Sequence, residues 1–309
     1  MNHSARLRPG DFVRVKDPGQ ILETLDGDGT LDGLPFMPEM LAFTGRKFRV
    51  ARRVIKTCVS VERSTNMREF QFDDVVTLED VRCSGQAHAD CQKGCMIFWR
   101  EAWLCKANEA PAPTKPPEDA ERLRERLKTS TGPQTYFCQS SEILKVTKPL
   151  SQWGRFTKCW KEVRVGNCGV SEMAERIGIW LFWRIRRKLL GPYARGTNKT
   201  TPVETLNLRP GELVEVKPIE SISRTLDRSA HNRGLYFTPD MAQLCGSQRR
   251  VERKLDRIIV DGTGEMRQMR NTVYLEDAQC GCSHVAFGGC PRGEFSYWRE
   301  IWLRRANRQ

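Results

Sequence analysis

The chain has 309 residues, 51 Lys and Arg against 38 Asp and Glu, and a formal net charge of +13. This length accommodates two domains of ordinary size that bury cores without disulfide support, which excludes the marginal, disulfide-dependent class. The N-terminal stretch MNHSARLRPGDFVRV has no apolar run and no small-residue cleavage site. This predicts no secretory signal, a cytoplasmic setting and reduced cysteines, so the twelve cysteines point to metal ligation, catalysis or core packing.

In chain order, DFVRVK at residues 11 to 16 alternates apolar and charged side chains behind a Pro-Gly turn, as a half-buried strand does. PEMLAF, residues 38 to 43, starts on Pro with an acid beside it and predicts one or two helical turns. KFRVARRVIKTCVSV, residues 47 to 61, continues the alternation after Gly45 as one long bent strand, and DVVTLEDVRC, residues 74 to 83, gives a third. The same order returns near the C-terminus. LRPG at 7 to 10 recurs at 208 to 211, and the match runs unbroken as far as residue 58, with GLPFMPEM answered by GLYFTPDM. After small length changes VTLEDVRC matches VYLEDAQC, and FWREAWLCKAN matches YWREIWLRRAN. So many Gly, Pro and Trp matches in one order indicate a tandem duplication.

The expected organisation is therefore a first repeat over 1–108, a basic connector over 109–202 and a second repeat over 203–309. The layout of each repeat resembles a small SH3-like barrel. The expected class is mainly β with some α: two tandem SH3-like barrels joined by a partly helical connector. The GLPFMPEM, KTC and FWREAWL elements also resemble a family of tandem-duplicated bacterial proteins associated with gene neighbourhoods for surface-glycan synthesis. That resemblance implies a bacterial, cytoplasmic protein and assigns no activity and no catalytic residue.

The stretch CSGQAHADCQKGCMIFWREAWL, residues 83 to 104, carries the densest chemistry. Cys83, Cys91 and Cys95, with Cys58 at the end of the long strand, supply four soft donors for a zinc ion or an iron–sulfur cluster, with His88 as a substitute ligand. The spacing is not that of paired C-x-x-C knuckles, and Cys58 and Cys83 read equally well as small core hydrophobes with no metal present. In the second repeat Cys83 aligns with Cys280 and Cys91 with Cys290, while Cys95 becomes Glu294 and Cys58 becomes Ile259. The loop there gains Cys282 and His284, so Cys280, Cys282, His284 and Cys290 form a weaker candidate set. Trp99 and Trp103 recur as Trp298 and Trp302 and read as core plugs.

Charge divides unevenly along the chain. The repeats are nearly neutral, whereas residues 109 to 200 carry 18 basic and 9 acidic side chains. After a Pro-rich spacer and a short charged helix, AERLRERLK, the connector ends in SEMAERIGIWLFWRIRRKLLGPY. Ser171 is an expected N-cap, and the run from Ile177 to Trp183 is uncharged. The uncharged run is too short to span a bilayer. Trp180, Phe182 and Trp183 beside Arg184, Arg186, Arg187 and Lys188 predict shallow docking on an anionic membrane surface, with an interdomain helix as the alternative.

There is no P-loop, no G-x-G-x-x-G after a strand, no H-E-x-x-H and no G-x-S-x-G. Three function classes remain. First is a non-enzymatic accessory or scaffold protein, peripheral on the inner face of the membrane, with a protein partner and a metal-braced cysteine loop. Second is a metal- or thiolate-dependent enzyme using the first-repeat cysteines. Third is a nucleic-acid-binding pair of barrels, disfavoured by the balanced charge of both repeats.

Overall fold

The structure is a computed structural model, and it describes residues 6–61, 64–107, 117–191, 193–280, 287 and 292–306. The chain forms two compact units, Met1–Ala174 with Ile259–Arg267, and Glu175–Ile258 with Gln268–Gln309.

The first unit is built on a five-stranded antiparallel sheet with spatial order Trp99–Arg100, Val75–Leu78, Lys47–Arg53, Phe12–Val15, Leu104–Lys106. Val13 pairs with Phe48 on one side and Lys106 on the other. The alternation read from the sequence appears as Val13 and Val15 fully buried and Phe12 exposed on the opposite face. Onto the buried face pack Phe36 and Met40, the latter from the 3-10 segment Pro38–Phe43, and both tryptophans. Phe36 meets Trp99 and Trp103 edge-on at 6.2 and 5.2 Å between ring centroids.

The second unit repeats this order: Trp298–Arg299, Thr272–Leu275, Gln248–Lys254, Leu213–Val216, Leu303–Arg305. Val214 pairs with Arg249 and Arg305, and Phe237 meets Trp298 and Trp302 at 6.3 and 5.2 Å. The polar fittings are repeated too. Trp103 Nε1 donates to Thr24 Oγ1 at 3.1 Å, and Trp302 Nε1 donates to Thr225 Oγ1 at 3.1 Å. Glu101 accepts the Leu7 amide at 2.9 Å, and Glu300 accepts the Leu208 amide at 3.0 Å.

The expectation of two closed SH3-like barrels is corrected. Among the described residues no pairing joins the two edge strands of either five-stranded sheet, and the class is mixed α and β. The reason lies at Val54–Lys56, where the long strand expected over 47–61 breaks. Its second half, Thr57–Val61, leaves the sheet and pairs with Ser64–Phe70, which in turn pairs with the connector strand Thr147–Pro149. Strand hydrogen bonding that would curl the sheet onto itself is thus spent on a separate three-stranded sheet.

Residues 117 to 174 are therefore part of the first unit's packing. Helix Pro117–Arg126 carries acids in its first turn and bases in its last, which suits the helix dipole, and it buries Leu123 in the main core. Helix Gln152–Arg164 starts on a Ser151 cap whose side chain accepts the Gly154 amide at 2.9 Å. Beyond its end, Asn167 donates to the Arg53 carbonyl at 2.7 Å and accepts from the Arg53 amide at 2.9 Å.

Candidate functional site

The loop between Cys83 and Cys95 leaves the sheet after Val75–Leu78 and returns to it before Trp99. Its two ends are held together by an antiparallel bridge between Arg82 and Met96 and by the Cys83 amide donating to the Cys95 carbonyl at 2.9 Å. Inside this clasp the backbone makes an unusual sequence of left-handed turns, at Gly85, Ala89, Asp90 and Gly94. Ala and Asp in that region are strained and persist only where their surroundings hold them. Gly85 is obligatory, because a Cβ there would lie 2.0 Å from the Cys91 carbonyl oxygen.

The loop closes over a cavity of about 30 Å³. Cys83, Cys91 and Cys95 line it, and a fourth thiol, Cys138, arrives from the connector. Cys138 precedes a tight turn in which its amide donates to Ser141 Oγ at 2.9 Å. Cys91 Sγ accepts from the Ile259 amide at 3.3 Å. Burial pushes the Cys138 thiol up to about 12, with Cys95 and Cys91 adding to the rise and the two serine amides opposing it. Burial raises Cys83 as well, reinforced by Glu39 and Cys95 and resisted by the Gly85 amide.

Two buried ion pairs flank the thiols. His88 Nδ1 lies 2.7 Å from Glu39 Oε1, and His88 Nε2 lies 3.0 Å from the Phe137 carbonyl oxygen. Both ring nitrogens thus face oxygen atoms. Lys93 Nζ lies 2.5 Å from Asp261 Oδ1 and 3.1 Å from Ser140 Oγ, and the Ser140 hydroxyl also bonds Asp261. All of these residues are nearly removed from solvent.

The structure thus gathers Cys83, Cys91 and Cys95 as the sequence suggests, adds Cys138, and leaves two expected ligands aside. Cys58 sits on the Thr57–Val61 strand opposite Met67 and does not line the cavity. His88 lines it, but both ring nitrogens are engaged elsewhere. Among the described residues, no three His, Cys, Asp or Glu side chains already stand as the ligands of one ion. In the second repeat Cys280 repeats the clasp, its amide donating to the Glu294 carbonyl at 2.6 Å. Cys282, His284 and Cys290 lie outside the described residues.

The connector's last helix spans Val170–Leu190, beginning one residue before the expected Ser171 cap. Trp180 and Trp183 are half-buried: Trp180 packs edge-on against Phe287 at 4.8 Å and Trp183 against Tyr193 at 5.1 Å. Arg184 covers the Trp180 ring at 5.0 Å, and Arg186 covers Tyr193 at 4.6 Å. The apolar face left in solvent is Leu181, Phe182, Ile185 and Leu189, beside exposed Arg184, Arg187 and Lys188. A second such face, not expected from the sequence, lies on Gln152–Arg164, where Trp153, Phe156 and Trp160 are 80%, 59% and 71% exposed. Their spacing places them in one stripe, with Arg164 a turn further on. Among the described residues, no helix is long and apolar enough to cross a membrane.

Comparison of the chain with protein-family models, with curated proteins and with solved structures finds no match.

Proposed function

We propose that the protein is a non-enzymatic accessory protein of the bacterial cytoplasm that rests on the inner, anionic face of the membrane, with its cysteine loop braced by metal. The observation that carries this is the pair of exposed apolar helix faces. Two Trp and a Phe standing in water on one turn-spaced stripe are uncommon, and such patches mark interaction surfaces. Both faces lie in the segment that holds most of the chain's net positive charge, and Arg184, Arg187 and Lys188 edge the second. Aromatic rings at the headgroup level with cations beside them match an anionic bilayer surface, each cation contributing about 1 kcal/mol before screening. Such a protein suits a membrane-bound assembly step such as surface-glycan synthesis, the setting the sequence resemblance implies.

The test is cosedimentation of the full chain with vesicles containing phosphatidylglycerol and with neutral phosphatidylcholine vesicles. The expected result is binding to the anionic vesicles that weakens with salt, and its loss in a Trp153→Ser, Phe156→Ser, Trp160→Ser variant that remains folded. A wild-type protein that stays in solution with anionic vesicles at low salt overturns the reading.

A further inference from the structure

We propose that Cys83, Cys91, Cys95 and Cys138 are the four ligands of one thiophilic metal centre, with the connector supplying the ligand that closes the set. The proposal rests on the reading of the cysteine loop as metal-braced and is independent of membrane docking. Three observations lead to it.

The first is convergence. Cysteines from two separate segments line a single cavity of about 30 Å³, whose size matches one small ion or water. Four cysteine side chains facing one cavity differ from ordinary core packing, where a cysteine fills space singly as a small hydrophobe. The second is the direction of one amide. Ile259 donates its N–H to Cys91 Sγ at 3.3 Å. An N–H bond to a neutral thiol is weak, and it gains strength when the sulfur is ionised. A thiolate is the form that a metal holds. The third is strain. Four left-handed residues between Cys83 and Cys95, two of them Ala89 and Asp90, give the loop a conformation that a ligated ion would hold in place.

The proton balance follows from the chemistry of the site. A cysteine ligates a metal as its thiolate, so each thiol that forms a ligand bond gives up its proton to solvent as the sulfur donates its lone pair to the ion. No electron is transferred. The Ile259 amide then takes over part of the thiolate charge. His88 and Lys93 also line the cavity, and each is engaged by a buried carboxylate, Glu39 and Asp261. Zinc and an iron–sulfur cluster share this four-thiolate chemistry. No three of these side chains already stand as the ligands of one ion, so either group requires the sulfurs to draw into place around it. The second repeat cannot build the same set, because Glu294 replaces Cys95 and the single connector offers no second Cys138.

The experiment is anaerobic purification of the full chain, with elemental analysis, acid-labile sulfide assay and visible absorption, followed by cobalt uptake into the chelator-treated protein. The expected result is about one metal centre per chain that survives Cys58→Ser and is lost in Cys138→Ser. A colourless zinc protein and a brown iron and sulfide protein are the two supporting forms. Because Cys138→Ser could unfold the loop, the wild-type cobalt spectrum gives a second reading: sulfur-to-cobalt charge transfer with the intensity of four thiolates supports the set. A centre retained by Cys138→Ser and lost in Cys58→Ser, or a cobalt spectrum of mixed nitrogen and sulfur ligation, overturns the ligand set alone. Absence of both native metal and cobalt uptake overturns the metal brace with it, whatever the vesicle result.

Discussion

His88 and Glu39 form a buried pair 2.7 Å apart, and the far nitrogen of the same ring reaches the Phe137 carbonyl oxygen at 3.0 Å. The pair joins three segments: the Pro38–Phe43 turn, the cysteine loop and the connector. Burial alone would raise the Glu39 carboxyl, but the hydrogen bond and charge of His88, with the Ala87 amide, outweigh it and hold Glu39 below its ordinary value. A depressed carboxyl stabilises the fold above its unfolded-state value, and that stability is lost as pH falls through the folded one. Glu39→Gln is expected to cost roughly 1–3 kcal/mol at neutral pH, because a neutral amide replaces the carboxylate that holds the buried His88 ring. It should also flatten the acid limb of stability. Urea unfolding at neutral and mildly acidic pH checks both, and parallel acid limbs in the two proteins would refute the assignment.

The Lys93–Asp261 pair makes a sharper test of buried charge. Asp261→Asn strands an ammonium group that is almost wholly buried, and a loss of roughly 3–5 kcal/mol is expected. The double change Lys93→Met, Asp261→Leu removes both charges, and it should recover most of that loss. Thermal unfolding of the three proteins decides it. If the double variant is the least stable of them, the charge argument fails and packing is responsible.

Two glycines separate backbone demand from tolerance. Gly85→Ala forces a Cβ into the Cys91 carbonyl at a φ of 72°, and a loss of roughly 3 kcal/mol or more is expected. Gly27 has nothing within 4 Å of an added Cβ, so Gly27→Ala should stay within about 0.5 kcal/mol of wild type. Denaturant midpoints measured side by side provide the comparison, and equal effects would show that the Gly85 turn is not constrained as described.

The threonines beneath the tryptophans offer a matched pair across the two units. Thr24→Val leaves the Trp103 indole N–H without its acceptor, and Thr225→Val does the same to Trp302. Each should cost about 1–3 kcal/mol, the penalty for an orphaned buried donor. Tryptophan fluorescence during unfolding reads both, and a null effect at both sites would mean that the hydroxyls contribute nothing to holding the rings.

The legible parts of the fold were those written in local periodicity. Phe12–Val15, the Pro38 turn and helix Val170–Leu190 stand where alternation, Pro placement and the apolar run put them. The break at Val54–Lys56 was not legible, because apolar alternation runs straight across it and only the competing pairing with Ser64–Phe70 ends the strand. Helix Gln152–Arg164 escaped for the opposite reason. Its aromatic stripe faces solvent while Cys159 and Glu162 face inward, so the pattern does not describe an ordinary buried face. Three of the cavity's four cysteines follow from spacing alone. Cys138 does not, since it lies 43 residues beyond Cys95 and has no twin to compare it with.

Residues Ile259–Arg267, read from the sequence as part of the second copy, belong to the compact unit that begins the chain. From that segment come the carboxylate that neutralises Lys93 and the amide that reaches Cys91. Once such a splice exists, neither copy can be inherited, exchanged or deleted as a free-standing module. A gene cut after the connector would encode a first half missing part of its own interior. Duplication normally gives evolution a spare to alter at leisure, but here the spare has become an organ of the original, and the two must now change together.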